Sequence, residues 1–260
     1  MNNASQYLYI SEGYFLFLGK SMDTVVHEHH LFQIVIAFEK EFKLFIENKL
    51  INTQALLIDK DVPHKFESKD GRHMILLIDP EKDVAKKMKK SMNNTSYQEL
   101  DFSLFNKIVD NILGFYPKDF TVQKIKEIIN EILKIILNAN IVNITKDLRI
   151  QGLLNHIKTL ENKNVSAKEL AKKAFISESR LIHLFTKEIG IPLRKYLLWS
   201  KLIDAINYIV RGMDFTEACY AAGFSDSAHL SRTFKKMFGI TLLILFKNYD
   251  SSRFVQVIIE

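Results

Sequence analysis

The chain has 260 residues, long enough for two domains of ordinary size, and its 47% hydrophobic and 25% charged residues are typical of a globular protein. Its single cysteine, Cys219, cannot form an internal disulfide, and residues 1–10 lack the basic start and apolar core of a signal peptide. No apolar run approaches the ~20 residues that span a bilayer. These features argue against a disulfide-stapled protein and against a membrane partner, and we expect a cytoplasmic protein.

The charge is unevenly distributed along the chain. Residues 1–146 hold 19 basic and 19 acidic side chains, whereas residues 147–260 hold 17 basic and 11 acidic ones, so the whole formal charge of +6 lies in the C-terminal part. Such asymmetry favours a polyanion-binding module beside a neutral one. A lysine-rich surface that serves solubility is the alternative.

Residues 1–80 have the pattern of a β-rich domain. Turn signals at Asn48, at 59–63 and at 69–71 separate short apolar runs. Within one run, Phe42, Leu44 and Ile46 alternate with Lys43 and Phe45, as in a partly exposed strand. Regularly spaced short strands predict a small barrel or sandwich. The runs are 14–18, 31–38, 42–46, 55–58 and 74–78.

Residues 81–140 have a helical period instead. We predict helices over 81–92, 101–113 and 120–138, followed by a linker at 141–146. Helix 120–138 is apolar over more than one face, so it needs cover on two sides. It is either an ordinary core helix or the contact of a homodimer, and the pattern slightly favours the homodimer.

An internal repeat lies within residues 165–246. Leu181, Phe185 and Gly190 match residues 49 positions later, and Ala171 matches Cys219 at 48, so the second copy has one extra residue in its turn. Each copy predicts a short helix, a tight turn and a longer helix, at 166–188 and 214–238. The partners of the first three residues are Leu230, Phe234 and Gly239.

Local signals mark the ends of these helices. Ser166 with Glu169, and Asp214 with Glu217, have the spacing of capping boxes. Gly223 suits a turn that needs positive φ, and glycines at 190 and 239 suit helix C-caps. We predict one long helix over 192–211 between the copies, and an opening helix over 147–160. This rigid connector would set the two second helices about one DNA turn apart, ~34 Å.

The segments 177–185 and 223–239 closely resemble the two recognition helices of AraC/XylS regulators. The resemblance covers about 147–247 and implies a multi-domain α+β protein. Its expected parts are an N-terminal cupin-like β-barrel with flanking helices and a C-terminal all-α domain with two helix-turn-helix motifs. The implied boundaries are 1–80 for the sensor, 81–140 for its helical, dimerising part, and 147–250 for the DNA-binding domain. Four places depart from the family pattern, namely Phe175, Pro192, Leu242 and the pair 245–246.

The resemblance also indicates which side chains contact DNA. Arg232 is the leading candidate for guanine, because its guanidinium fork matches O6 and N7. A surface ion pair is the alternative for Arg232, and bonding within the fold is the alternative for both His183 and His229. The expected base contacts are Ser179, Ile182, His183, Ser227, Ala228 and Arg232. The expected phosphate contacts are Arg180, Lys187, Lys195, His229, Lys235 and Lys236.

The N-terminal domain carries a histidine cluster. His27 and His29, with the later His64, resemble the metal pattern of cupins, although the glycines that flank it in cupin enzymes are missing. We therefore expect no cofactor and no metal, with His27, His29 and His64 as weak candidates only. A pocket for a small organic effector is favoured instead. Its expected residues are His29, His30, Gln33 and His64.

The sequence thus predicts a DNA-binding transcription regulator and not an enzyme. Its expected partners are double-stranded DNA, a second copy of the chain through 120–138, a small-molecule effector and RNA polymerase. Two alternatives stay open. One is a metal-dependent cupin enzyme with a DNA-binding tail, and the other is a regulator that a protein partner controls without any effector.

Overall fold

The computed structural model describes residues 6–11, 13–20, 23–68, 71–115, 121–137, 147–242 and 256–259. It divides into two compact units, one comprising residues 1–142 with 235–260 and the other residues 143–234. The predicted linker at 141–146 lies outside the described residues. None of the described helices is both long and apolar enough to cross a membrane.

The first unit combines strands with three helices. Its strands are β1 (Gln6–Ser11), β2 (Tyr14–Lys20), β3 (Phe32–Ala37), β4 (Phe42–Ile46), β5 (Lys49–Thr53), β6 (Ala55–Ile58), β7 (His64–Glu67), β8 (Arg72–Ile78), β9 (Tyr97–Glu99) and β10 (Gln256–Ile259). Its helices are α1 (Asp83–Ser91), α2 (Asn106–Phe115), preceded by a 3-10 turn at Phe102–Phe105, and α3 (Val122–Leu137).

The strands form two separate sheets. One has seven strands in the order β10-β1-β2-β8-β3-β6-β9, and the other has three in the order β5-β4-β7. The apolar tail enters the larger sheet, since Gln256–Ile259 pairs in parallel with β1. All the other ladders are antiparallel. The alternation predicted for 42–46 is confirmed, because Phe42, Leu44 and Ile46 are buried and the residues between them are exposed.

The predicted cupin-like barrel is not closed, because no ladder joins the two sheets among the residues described. The segment that could close it, residues 23–31, forms a single bridge to β7, between His27 and His64. Further hydrogen bonds join the segment to β7, since the Thr24 N–H donates to the Phe66 carbonyl at 2.9 Å. The hydroxyl of Thr24 accepts from the Phe66 N–H, and the carboxylate of Asp23 accepts from the Ser68 N–H, both at 2.9 Å.

The helices of the first unit cover the larger sheet. One face of α3 joins the apolar core of sheet and helices, while Glu127, Glu131 and Lys134 face solvent. The core therefore accounts for the apolar residues that suggested a dimer contact, and the homodimer stays a prediction. The buried residues of this helix are Ile125, Ile128, Ile129, Ile132 and Leu133.

The second unit is helical, and its elements follow the predicted order. They are α4 (Leu148–Thr159), α5 (Ala167–Lys173), α6 (Glu178–Ile189), α7 (Leu193–Val210), α8 (Phe215–Ala221) and α9 (Ser227–Phe238), the last four residues of α9 being grouped with the first unit. The two short–long helix pairs and the connecting helix are thereby confirmed. Pro192 lies at the N-cap of α7, one residue before the first turn where the sequence predicted it.

Candidate nucleic-acid interface

The first helix-turn-helix unit is built from α5 and α6. The predicted capping box is present, since Ser166 and Glu169 exchange side-chain to backbone hydrogen bonds at the start of α5. Ser177 caps α6 by accepting from the Arg180 N–H at 3.3 Å. Leu181 and Phe185 of α6 are fully buried, so the opposite face of the helix is turned to solvent.

The second unit repeats this arrangement with α8 and α9. The Asp214 carboxylate accepts from the N–H groups of Thr216 and Glu217, which starts α8. Asp226 precedes α9, and its carboxylate accepts from the His229 N–H at 2.6 Å. Leu230 and Phe234 are buried at the positions that match Leu181 and Phe185.

The turns of the two units make the same backbone hydrogen bonds. The Ile176 N–H donates to the Ala171 carbonyl at 3.1 Å, and the Phe224 N–H donates to Cys219 at 3.0 Å. The residue before each donor is left-handed, with φ of +55° at Phe175 and +82° at Gly223. A left-handed residue that follows a helix is usually glycine, so Phe175 holds the strained version of the turn.

Helix α7 ties the loop before α5 to the turn of the second unit through one lysine. The Lys201 ammonium donates to the Asn164 side-chain oxygen, and also to the Gly223 carbonyl at 3.1 Å. A Cβ at position 223 would lie 3.0 Å from atoms of both Asn162 and Asn164, so the loop before α5 packs directly on the second turn. Burial lowers the pKa of Lys201 from its ordinary value.

A buried ion pair fixes the same loop to α7. The Lys163 ammonium lies 2.5 Å from the Asp204 carboxylate, and only 3% of the Lys163 side chain is exposed. Burial raises the pKa of Asp204, and the lysine partly offsets that rise. Together, Lys163 and Lys201 hold both helix-turn-helix units on one connector.

The predicted DNA contacts lie on the outer faces of this scaffold. On α6 and the start of α7, Ser179, Arg180, Ile182, His183, Lys187 and Lys195 are exposed. On α9, Ala228, Arg232, Lys235 and Lys236 are exposed, while Ser227 and His229 are half-buried. His229 stacks on Phe224 with ring centroids 5.2 Å apart, and its Nδ1 lies 3.3 Å from the Ser225 hydroxyl. The fold therefore already uses the His229 ring.

Two acidic groups modify the charge of these surfaces. The His229 N–H, the Ser225 hydroxyl and the charge of Arg232 together lower the pKa of Asp226. The hydrogen bonds of Arg149 lower the pKa of Asp147 to about 2, and Arg180 adds to the effect. Each candidate arginine, 180 and 232, thus lies within the field of a carboxylate that a phosphate would have to outcompete.

Sequence reasoning missed Asp226 and Lys201. The aspartate had a local signal, because it immediately precedes a helix and stands three residues before the N–H that it caps. No local sequence signal indicated the role of Lys201, because the residues that it contacts lie 37 and 22 positions away along the chain.

The predicted effector residues lie in the first unit, and all four are buried. His29, His30, Gln33 and His64 are between 1% and 4% exposed. The His29 Nε2 lies 2.9 Å from the Gln33 side-chain oxygen, and the His29 and His64 rings are 5.3 Å apart. A narrow apolar cavity lies elsewhere in the unit, lined by Tyr7, Tyr9, Leu16, Leu18, Met74, Ile112, Ile125 and Ile128.

Comparison with known proteins identifies the second unit. Residues 170–247 match the family described as "Helix-turn-helix domain", a span that runs from α5 past the end of α9. This span is an AraC-type helix-turn-helix domain. Among proteins similar to the chain, the probable transcriptional regulator LumQ of Photobacterium leiognathi is 28% identical over 88 residues, or 34% of this chain and 36% of LumQ.

A second similar protein is the lactose operon transcription activator of Staphylococcus xylosus. It is 23% identical over 186 residues, which are 71% of this chain and 58% of the activator. The chain thus spans between about a third and about three fifths of the length of these curated relatives.

Solved structures of ToxT from Vibrio cholerae share the fold. Apo ToxT superposes with a TM-score of 0.57 at 13% identity, over 89% of this chain and 96% of that one. Unsaturated fatty acid bound ToxT superposes with a TM-score of 0.50 at 15% identity, over 93% and 94%. The common architecture is a set of N-terminal sheets followed by a C-terminal helical domain.

Proposed function

We propose that this chain is a sequence-specific DNA-binding transcription regulator in which α6 and α9 enter the major groove. One observation carries the proposal. The repeated apolar positions of both helices are buried on one scaffold, and the side chains between them face solvent. Helix-turn-helix proteins present their recognition helices to DNA in this way.

The direct contacts of the proposal are those expected from the sequence. Arg232 reads guanine from α9, while Ser179, Ile182 and His183 read bases from α6. Ser227 and Ala228 are small, so α9 reads shape or thymine methyl groups beside Arg232. The remaining candidates bind phosphate and position the domain without reading sequence. They are Arg180, Lys187, Lys195, His229, Lys235 and Lys236.

The N-terminal part acts as the sensor in this proposal. We assign 1–80 to a cupin-like sensor whose sheets stay open, 81–140 to its helices, 141–146 to a linker and 147–250 to the DNA-binding domain. A small organic effector binds near His29, His30, Gln33 and His64, and its differential affinity for two states changes DNA binding. Support comes from ToxT, a protein of this fold that has been crystallised with an unsaturated fatty acid.

Two protein partners complete the proposal. A homodimer through 120–138 would present four helix-turn-helix units to two half-sites, and it would use the charged outer face of α3 because the apolar face is buried. RNA polymerase is the partner expected if the regulator activates transcription. Sedimentation of the full chain measures the dimer directly.

Selection from a pool of random double-stranded DNA tests the function. The full chain should enrich sequences with two blocks whose centres lie about 10 bp apart. If the five lysine and arginine phosphate candidates each neutralise one phosphate, the slope of log affinity against log salt is about −4 to −5. Lys187→Gln should reduce that slope by about one without changing the preferred sequence. A pool without enrichment and a salt-independent affinity would contradict the proposal.

A further inference from the structure

Three histidines converge inside the first unit. The chain segments of His27 and His64 are joined by two backbone hydrogen bonds of 3.0 and 2.9 Å. Their rings lie 4.3 Å apart, and the His29 ring is 5.7 Å from the one and 5.3 Å from the other. One ring nitrogen from each of the three lies within 4.8 Å of the other two. All three side chains are buried.

The backbone fixes the tautomer of each ring. The Nδ1 atoms of His27 and His29 lie 3.0 Å from the carbonyls of Val25 and Leu31, and that of His64 lies 2.8 Å from Val62. Because a carbonyl oxygen only accepts, each Nδ1 carries the proton, and each neutral ring presents a lone pair on Nε2. Histidines that bind metals through Nε2 are commonly oriented by such a bond at the other nitrogen.

Two of the three Nε2 atoms, those of His64 and His29, face no hydrogen-bond donor. The buried Nε2 of His64 has no hydrogen-bond partner, and that of His29 faces the side-chain oxygen of Gln33 at 2.9 Å. Two acceptors at this distance repel each other unless a cation satisfies both or the Gln33 amide is turned round.

The surrounding backbone holds the site in place. On one side His27 is bridged to His64, and on the other the Val25 N–H donates to the Gly239 carbonyl at 2.9 Å. A Cβ at Gly239 would lie 2.5 Å from the His27 Nδ1, so glycine at that position leaves room for the ring. Residue 239 and the histidines belong to the same compact unit.

We infer that His27, His29 and His64 bind one divalent transition-metal ion through their Nε2 atoms, with the side-chain oxygen of Gln33 as a fourth ligand. Three imidazoles suit zinc, whose bonds to nitrogen are about 2.0–2.1 Å long. A tetrahedral zinc ion needs nitrogens roughly 3.4 Å apart. The ring nitrogens, which lie within 4.8 Å of one another, must therefore draw together by up to about 1.4 Å around the ion.

The inference deepens the proposed function, on which its regulatory meaning rests, because the ion would form part of the sensor's effector site. An organic effector would then bind beside the ion, since the two share His29, Gln33 and His64. The ion also gives the buried Gln33 a role as a ligand.

Zinc titration of the full chain tests the inference. Protein stripped with a chelator is titrated with Zn²⁺ against a competing indicator, and the bound metal is quantified by mass spectrometry. We expect one zinc per chain, and His27→Gln and His64→Gln should each weaken binding at least about tenfold. His156→Gln, outside the cluster, should leave binding unchanged.

Two substitutions of Gln33 by residues of similar size test the inference in case the histidine variants fail to fold. Gln33→Glu adds a carboxylate ligand and should tighten zinc binding about tenfold, whereas Gln33→Leu removes the ligand and should weaken it. Absence of stoichiometric zinc, or zinc that persists in both histidine variants, would overturn the inference. Selection of DNA by the zinc-free chain is measured separately. Enrichment of a DNA sequence without any zinc binding would contradict the metal site and leave the proposed regulator unaffected.

Discussion

The turn of the first helix-turn-helix unit has Phe175 at its left-handed position, whereas the turn of the second unit has Gly223 there. The two turns nevertheless make the same backbone hydrogen bonds. The residues that cap the second helices differ as well, since Ser177 is neutral and Asp226 is charged. The outward faces differ too, with Ile182 and His183 on α6 and Arg232 on α9. One architecture is thus built with two local chemistries, and we expect the two halves to contribute differently to stability and to DNA binding.

The largest expected effect is a loss of affinity for the selected DNA sequence when a base contact of α9 is removed. Arg232→Ala should weaken binding to the selected sequence by about 1–3 kcal/mol, roughly five- to 150-fold, because a bidentate guanine contact is removed. Fluorescence anisotropy with selected and scrambled duplexes measures it. Lys236→Ala is the matched control, and it should weaken both duplexes alike. If Arg232→Ala also weakens both equally, α9 does not read sequence through this side chain.

The second effect concerns the turn built on glycine. Gly223→Ala should destabilise the chain by about 2 kcal/mol, because an L-residue is strained at φ +82° and its Cβ would press on Asn162 and Asn164. Urea unfolding measures the change. Gly152→Ala is the control, since Gly152 lies exposed in α4 with open space around it, and alanine should stabilise that helix by about 0.5–1 kcal/mol.

A substitution in the strained turn of the first unit should stabilise the chain. Phe175→Asn should stabilise the chain by about 0.5–1 kcal/mol, because asparagine tolerates the left-handed region and the phenylalanine, 94% exposed, contributes little packing. Phe175→Ala separates strain from surface exposure, since alanine keeps the strained φ and should bring no gain. Equal stabilisation by both variants would show that strain at this turn is unimportant.

The smallest expected effect is a change in DNA affinity when the residues that cap α9 and α6 are substituted. Asp226→Asn keeps the cap but removes the negative charge that influences Arg232, so DNA affinity at low salt should rise about two- to fivefold. Ser177→Asp introduces the same charge at the first recognition helix and should lower affinity by a similar factor. Binding curves at two salt concentrations measure both changes. Unchanged affinity in both variants would mean that neither cap faces phosphate.

Much of the second unit could be predicted from the sequence, because its signals are local. The repeat, Ser166 with Glu169, and the glycines at the helix ends each act within one turn of chain, and the helices formed where they indicated. The extra residue predicted in the second turn is present, since two residues separate Phe224 from α9 and one separates Ile176 from α6.

The first unit was decided by contacts between distant residues. The strands were recognisable one by one, yet their arrangement in two sheets was not. No local pattern encodes the hydrogen bonds of Asp23 and Thr24 to β7, which join residues 45 and 42 positions apart. The tertiary structure likewise gave Lys201 its two partners and turned the Nδ1 atoms of three histidines toward backbone carbonyls. The sequence by itself determined the helix-turn-helix units, since caps and periodicity act locally, and only the folded chain decided how the histidines of the first unit are arranged.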